Sequence, residues 1–220
     1  MASLPGPTPT AILHGVHNAF TVNYSLVISI CALLFTVTTF WWLNARQGKL
    51  KCYAPNSFAA VVRVDDCVLR FPFVLYNTGP KPIIVQDLRL SFPKETVTLP
   101  TFTWRTTRSK MLPSPDDQLA LPAVFSVAGR SAQQIFIEFG GAFPGVAPEP
   151  RCYIINVEFK LGHRRKWRRV TSFGLHAENI GTPGSYIMYS NDPSALTDEE
   201  RRVASVALRS MARGGGASAL

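Results

Sequence analysis

Six cations crowd one short stretch of this chain: Lys160, Arg164, Arg165, Lys166, Arg168 and Arg169 surround Gly162-His163. On a hairpin these side chains project from the tip and from both strand faces, so local carboxylates cannot neutralise them all and they seek anions. The whole chain leans the same way, with a net charge of +9 and a pI near 9.7. An anionic lipid surface would hold such a patch at about 1 kcal/mol per residue, and an acidic protein would suit the same charges. Nucleic acid could use them with Trp167 as a stacking platform. No recognised nucleic-acid motif accompanies the cluster, so lipid headgroups or an acidic protein partner are the preferred reading. The plain alternative is a solvated hairpin tip.

Catalytic chemistry finds little to work with. The histidines are His14, His17, His163 and His176, and only His14 and His17 are close in sequence, with no Cys, Asp or Glu beside them to complete a metal shell. There is no Gly-x-Ser-x-Gly elbow, phosphate loop or dinucleotide fingerprint. Asp65-Asp66 and Asp116-Asp117 stand beside turns, where acidic pairs cap or solvate. Cys67 with a distant His163 or His176 is the one nucleophile and base to weigh, and strand alternation around Cys67 makes it structural. No enzyme activity, cofactor or metal is therefore expected. Cys52, Cys67 and Cys152 make an odd number after the apolar segment, with Cys31 inside it, which argues against a disulfide framework.

The element that places all of this is N-terminal. The first 45 residues contain no Lys, Arg, Asp or Glu, and Tyr24 to Leu43 reads as one transmembrane helix. Twenty residues at about 1.5 Å each match a hydrocarbon layer of about 30 Å, and its Ser and Thr hydroxyls can bond back to the helix backbone. Tyr24 opens the span and Trp41-Trp42 close it, as aromatic residues do at headgroup level. A buried soluble helix would need a continuous apolar cylinder inside a small β protein. A cleaved signal would need a cationic start, which residues 1 to 23 lack. Arg46, Lys49, Lys51 and Arg63 follow the span and no Lys or Arg precedes it, so the positive-inside rule puts the C-terminal side in the cytoplasm and the N-terminus outside. The sequon Asn23-Tyr24-Ser25 lies too close to the headgroups to be used.

The remainder suits one β domain. Leu69, Phe71, Phe73 and Leu75 alternate with Arg70, Pro72 and Tyr76, and Pro72 marks an edge strand or bulge. Leu88, Leu90 and Phe92 alternate after the Asn77 to Pro82 loop. Further strands are expected near 101–107, 119–127 and 133–139, followed by 152–161 and 167–175. The organisation is thus a leader (1–23), a span (24–43), a basic linker (44–51), a β-sandwich (52–180), a connector (181–194), a helix (195–213) and a tail (214–220). Thr197 to Glu200 has capping-box form, and Val203, Val206, Ala207 and Met211 would form the apolar stripe of a short amphipathic helix.

Three stretches carry a resemblance. Leu69 to Gly79 followed by Ile83-Ile84-Val85, the turn Val127-Ala128-Gly129-Arg130-Ser131, and the closing Tyr153 to Leu175 hairpin together resemble bacterial immunoglobulin-like, adhesion-type domains. That resemblance implies an antiparallel immunoglobulin-like β-sandwich used as a binding or spacer module, with no catalytic residues to carry over. The functional expectation is a non-catalytic, single-pass membrane-anchored accessory or scaffold protein whose β domain binds a partner protein or an anionic membrane surface. Its contacts are the anchor residues Tyr24, Trp41, Trp42, Arg46, Lys49 and Lys51 and the cationic hairpin with Trp167. The alternative is an extracytoplasmic receptor or adhesion module.

Overall fold

The computed structural model describes residues 23–63, 66–94, 101–141, 149–162 and 165–214. The N-terminal unit, ending at Arg46, is a helix, α1 (Tyr24–Phe40), that loosens into one π-helical turn, Trp41–Ala45. Together they make 22 residues of mean hydropathy 2.1, long and apolar enough to cross a membrane, and none of the helix is buried. Two of its hydroxyls bond back within it: Ser29 Oγ donates to Ser25 O and Thr36 Oγ1 to Ala32 O, each at 2.8 Å. Asn44 Nδ2 donates to Phe40 O at 3.2 Å beside the π turn.

The second unit, Gln47–Leu220, is mainly β. Its strands are β1 (Leu50–Cys52), β2 (Ser57–Val62), β3 (Cys67–Asn77), β4 (Ile83–Ser91), β5 (Phe102–Arg108), β6 (Leu119–Ala120), β7 (Phe125–Val127), β8 (Ala132–Gly141), β9 (Cys152–Leu161), β10 (Arg168–His176) and β11 (Ile187–Ser190). They form one antiparallel 11-stranded sheet in the order β10-β9-β4-β5-β8-β3-β2-β11, with β1 on β3, β6 on β5 and β7 on β4. This corrects the expected two-sheet sandwich to a single, strongly curled half-barrel. The reason lies in β5, which pairs with β4 through Arg89 and Leu90 and with β8 from Thr103 onward, shifting register between Trp104 and Thr106. A register shift of this kind bends a strand, so the ladder turns the corner without breaking. Phe71 on β3 and Phe173 on β10, far apart in strand order, meet edge-on at 5.6 Å across the concave face.

Alternation identifies that concave face well. Leu69, Phe71, Phe73 and Leu75 are buried, as are Tyr153, Ile155, Val157 and Phe159. Pro72 lies in an interior strand, but β2 pairs only with residues 67–70 of β3 and β1 only with 75–77, so among the described residues the position has a ladder partner on one side alone. An edge-like proline is accommodated there because no partner on the second side needs its missing N–H.

Arg70, placed by alternation on the solvent side, is 1% exposed. Its Nη2 donates to Glu138 Oε2 at 2.8 Å and its Nη1 to Lys110 O at 2.8 Å and Asp117 Oδ2 at 3.2 Å, pinning the loop between β5 and β6 over the convex face. Tyr186 completes the cluster, with its ring under the guanidinium at 4.9 Å and its hydroxyl on Glu138 at 3.0 Å. Cys31, Cys52, Cys67 and Cys152 are all free thiols.

Three strands escaped the sequence reading. β2 is buried on nearly every residue and shows no alternation, β1 is three residues long, and β11 forms within the stretch read as a connector. The C-terminal helix, α2 (Asp198–Gly214), starts at the capping box: Thr197 N donates to Glu200 Oε2 at 2.8 Å and Glu200 N to Thr197 Oγ1 at 3.3 Å. Its buried side is Ala204 and Leu208, with Met211 beside them, while Val203 and Val206 are exposed. The stripe is turned by about one residue from the expected one.

Candidate functional site: a basic cavity at the loop end of the sheet

The site begins with two glycines. Gly48 and Gly79 pack backbone on backbone: a Cβ on either would stand 2.1 Å from the other's nitrogen. Closure of this gap brings Lys49 against Thr78, where Lys49 N donates to Thr78 Oγ1 at 2.8 Å and Thr78 N donates to Lys49 O at 3.1 Å. Asn77, wholly buried, organises the loop from inside. Its Nδ2 donates to Lys81 O at 2.8 Å and Val127 O at 3.1 Å, while its Oδ1 accepts from Gly79 N at 3.0 Å. The Gly129-Arg130 turn joins the same knot. Arg130 takes a left-handed φ of 52° and its amide donates to Gly79 O at 2.8 Å, and a Cβ on Gly129 would strike Pro80 O at 1.8 Å.

A second wall comes from the β9–β10 hairpin. Gly162 takes φ 56°, a backbone region that favours glycine, and its amide donates to Ile84 O at 2.8 Å, fastening the hairpin end to the start of β4. Between the two walls lies a cavity of about 530 Å³. Leu50, Ile83, Leu161 and Val170, buried or half-buried, supply its apolar lining, and the exposed Lys49, Lys81, Arg168 and Arg169 supply its charge. None of these four cations forms an ion pair among the described residues. Positive groups around apolar walls, with no carboxylate among the described lining residues, suit an amphiphilic anion: a phosphate or carboxylate on the cations, and its apolar body on the aliphatic side chains.

The fold therefore unites parts of two sets of residues that the sequence keeps far apart. Lys49 from the segment after the apolar helix meets Arg168 and Arg169 from the cationic hairpin. Lys51 is exposed on β1, in register with Tyr76. Arg165 and Lys166 are exposed next to the hairpin turn, Lys160 is half-buried on β9, and Arg164 lies outside the described residues, as do His163, His14 and His17. Trp167 is already engaged: Arg89 stacks over its ring at 4.3 Å while pairing with Glu158 at 2.6 Å. Tyr24, Trp41 and Trp42 are exposed on the apolar helix, and Arg46 stacks over Trp42 at 4.0 Å.

Sequence reasoning missed Lys81. It stands between Pro80 and Pro82 in a segment read only as a turn, and the sole signal was a cation flanked by prolines. Cys67, weighed with a distant histidine and read as structural, lies in the core. Cys67 is buried, which together with Asp66 pushes its thiol well above the ordinary range, and burial pushes Cys52 up to about 12. The thiol beside His176 is that of Cys152, at 3.9 Å.

The chain matches no protein-family model and no curated protein sequence.

Proposed function

We propose that this is a single-pass, membrane-anchored, non-catalytic accessory protein whose β domain engages the anionic surface of its own membrane through the basic cavity, with the domain on the cytoplasmic side. The observation that carries the reading is the meeting of Lys49 with Lys81, Arg168 and Arg169 around an apolar pocket. Lys49 follows Ala45, the last residue of the apolar helix, by four positions, so the chain holds it within about 14 Å of that helix end. Four cations near an anionic leaflet add roughly 4 kcal/mol at about 1 kcal/mol each. The stretches that resemble immunoglobulin-like adhesion domains, Asn77-Thr78-Gly79 and Val127 to Ser131, build the knot that frames the cavity, in keeping with a binding module.

The test is amide hydrogen exchange on the full chain in nanodiscs of neutral lipid and of lipid containing phosphatidylserine. Slower exchange at residues 49–52 and 168–170 in the anionic discs, lost in 0.5 M salt and in an Arg168→Gln/Arg169→Gln variant, is the expected result. Equal exchange in both discs refutes lipid engagement and leaves an acidic protein as the ligand to seek. Protease added to intact cells tests the side: digestion of the β domain would overturn the cytoplasmic placement in favour of an external receptor.

A further inference from the structure

At the end of the β9–β10 hairpin away from the cavity, Cys152 opens β9 and His176 closes β10, directly opposite each other in the ladder. Cys152 Sγ lies 3.9 Å from His176 Nε2, and His176 Nδ1 lies 2.7 Å from Glu178 Oε1. Glu178 sits in the 3₁₀ turn Ala177–Asn179 that follows β10 immediately. A carboxylate on Nδ1 keeps the proton on that nitrogen and turns the lone pair of Nε2 toward the sulfur. Asn191 steadies the arrangement from the backbone, its Oδ1 accepting from His176 N at 3.1 Å.

The approach to the sulfur is also built. Gly174 is the neighbour of His176 on the same strand face, and a Cβ there would stand 2.9 Å from Sγ and 3.7 Å from Nε2. The missing side chain lets the sulfur lie against Gly174. β10 is the terminal strand of the sheet, so among the described residues no further strand pairs beyond it, and Cys152 is exposed. Burial and the Glu178 carboxylate raise the Cys152 thiol above its ordinary range against the pull of Lys94. His176 Nε2 is the nitrogen base beside it, at 3.9 Å. The other two thiols of the domain, Cys52 and Cys67, are buried.

The geometry points to a nucleophilic thiol site: Cys152, with His176 as general base and Glu178 as its positioning residue, exchanges with small disulfides of the glutathione class to carry a reversible mixed disulfide. Nε2 takes the thiol proton as Sγ attacks one sulfur of the incoming disulfide; the S–S bond breaks, and the departing thiolate recovers the proton from the imidazolium. One thiol and one disulfide give one mixed disulfide and one thiol, with no net redox change. Acyl transfer fits less well because it needs N–H donors aimed at an oxyanion, and the adjacent amides of His176 and Ala177 are committed to Asn191 Oδ1 and Arg151 O. Disulfide exchange develops its charge on sulfur alone, and Lys94, close enough to favour a thiolate at Cys152, also favours an anionic disulfide.

The test treats the full chain in detergent with oxidised glutathione at pH 7.5 and follows glutathione adducts at each cysteine by peptide mass spectrometry. Cys152 in the folded chain should react roughly tenfold or more faster than Cys152 in the urea-unfolded chain at the same pH. His176→Asn, with its thermal midpoint checked, should remove that advantage, and Glu178→Gln should reduce it. Equal folded and unfolded rates at Cys152 overturn the proposal regardless of how the variants fold. A folded His176→Asn that keeps the advantage does so as well.

Discussion

Gly48 and Gly79 touch backbone to backbone, each occupying the place where the other's Cβ would be, and this contact holds the segment before β1 against the loop after β3. Gly79→Ala must push Gly48 and Gln47 away, because every near atom is main chain. Overpacking of this kind costs about 1–3 kcal/mol. A lowered urea midpoint, together with loss of the slowed exchange at residues 49–52 in anionic nanodiscs, is the expected outcome.

Arg70 supports a second prediction. Removing the guanidinium alone leaves Glu138, and Asp117 at 2% side-chain exposure, without their main cation, and breaking a buried pair costs about 3–5 kcal/mol. Arg70→Met should therefore destabilise the domain strongly in chemical denaturation. Arg70→Met combined with Glu138→Leu should recover part of the loss, since two apolar groups leave fewer unpaired charges.

These two sites mark where the sequence was legible and where it was not. Phe71 and Phe73 announce a core face because strand periodicity is local, and the capping box at Thr197 announces a helix start for the same reason. Arg70 occupies a solvent-side position in that same pattern, and only the loop carrying Lys110 and Asp117, folded across the convex face, buries it. Alternation also cannot distinguish one curled sheet from two stacked sheets, because both bury alternate residues; the bend at Trp104–Thr106 decides it. The cavity was half legible. The cations of the hairpin and of the segment after the apolar helix were visible as charge, but their meeting depends on β1 pairing with β3, and β1 is too short to carry a pattern.

Asp117 gives the acid side of the stability profile. Burial alone would raise its carboxyl, but the Lys110 amide, Arg70, the Ser109 hydroxyl and Arg108 outweigh burial and hold it below its ordinary 3.8. A carboxylate with a lowered folded pKa contributes stability above its unfolded value and loses it as pH falls through the folded one. The domain should thus lose stability progressively below about pH 4. Asp117→Asn, less stable at neutral pH, should show a shallower fall, read as urea midpoints between pH 6 and pH 2.

The turned face of α2 separates two readings of the same helix. With Val203, Val206, Ala207 and Met211 inward, truncating either valine would matter. In the observed packing Leu208 is fully buried and Ala204 is 3% exposed, whereas Val203 and Val206 are 57% and 60% exposed. Ala204 faces Gly181 in this packing, where a Cβ on the glycine would lie 3.9 Å from that of Ala204, in ordinary van der Waals contact. Leu208→Ala should therefore cost about 2–5 kcal/mol, while Val203→Ala and Val206→Ala should each stay within about 0.5 kcal/mol. Urea denaturation of the three variants decides between the two rotations. Comparable losses at Leu208 and Val206 would place the helix on the face that its sequence alone suggests.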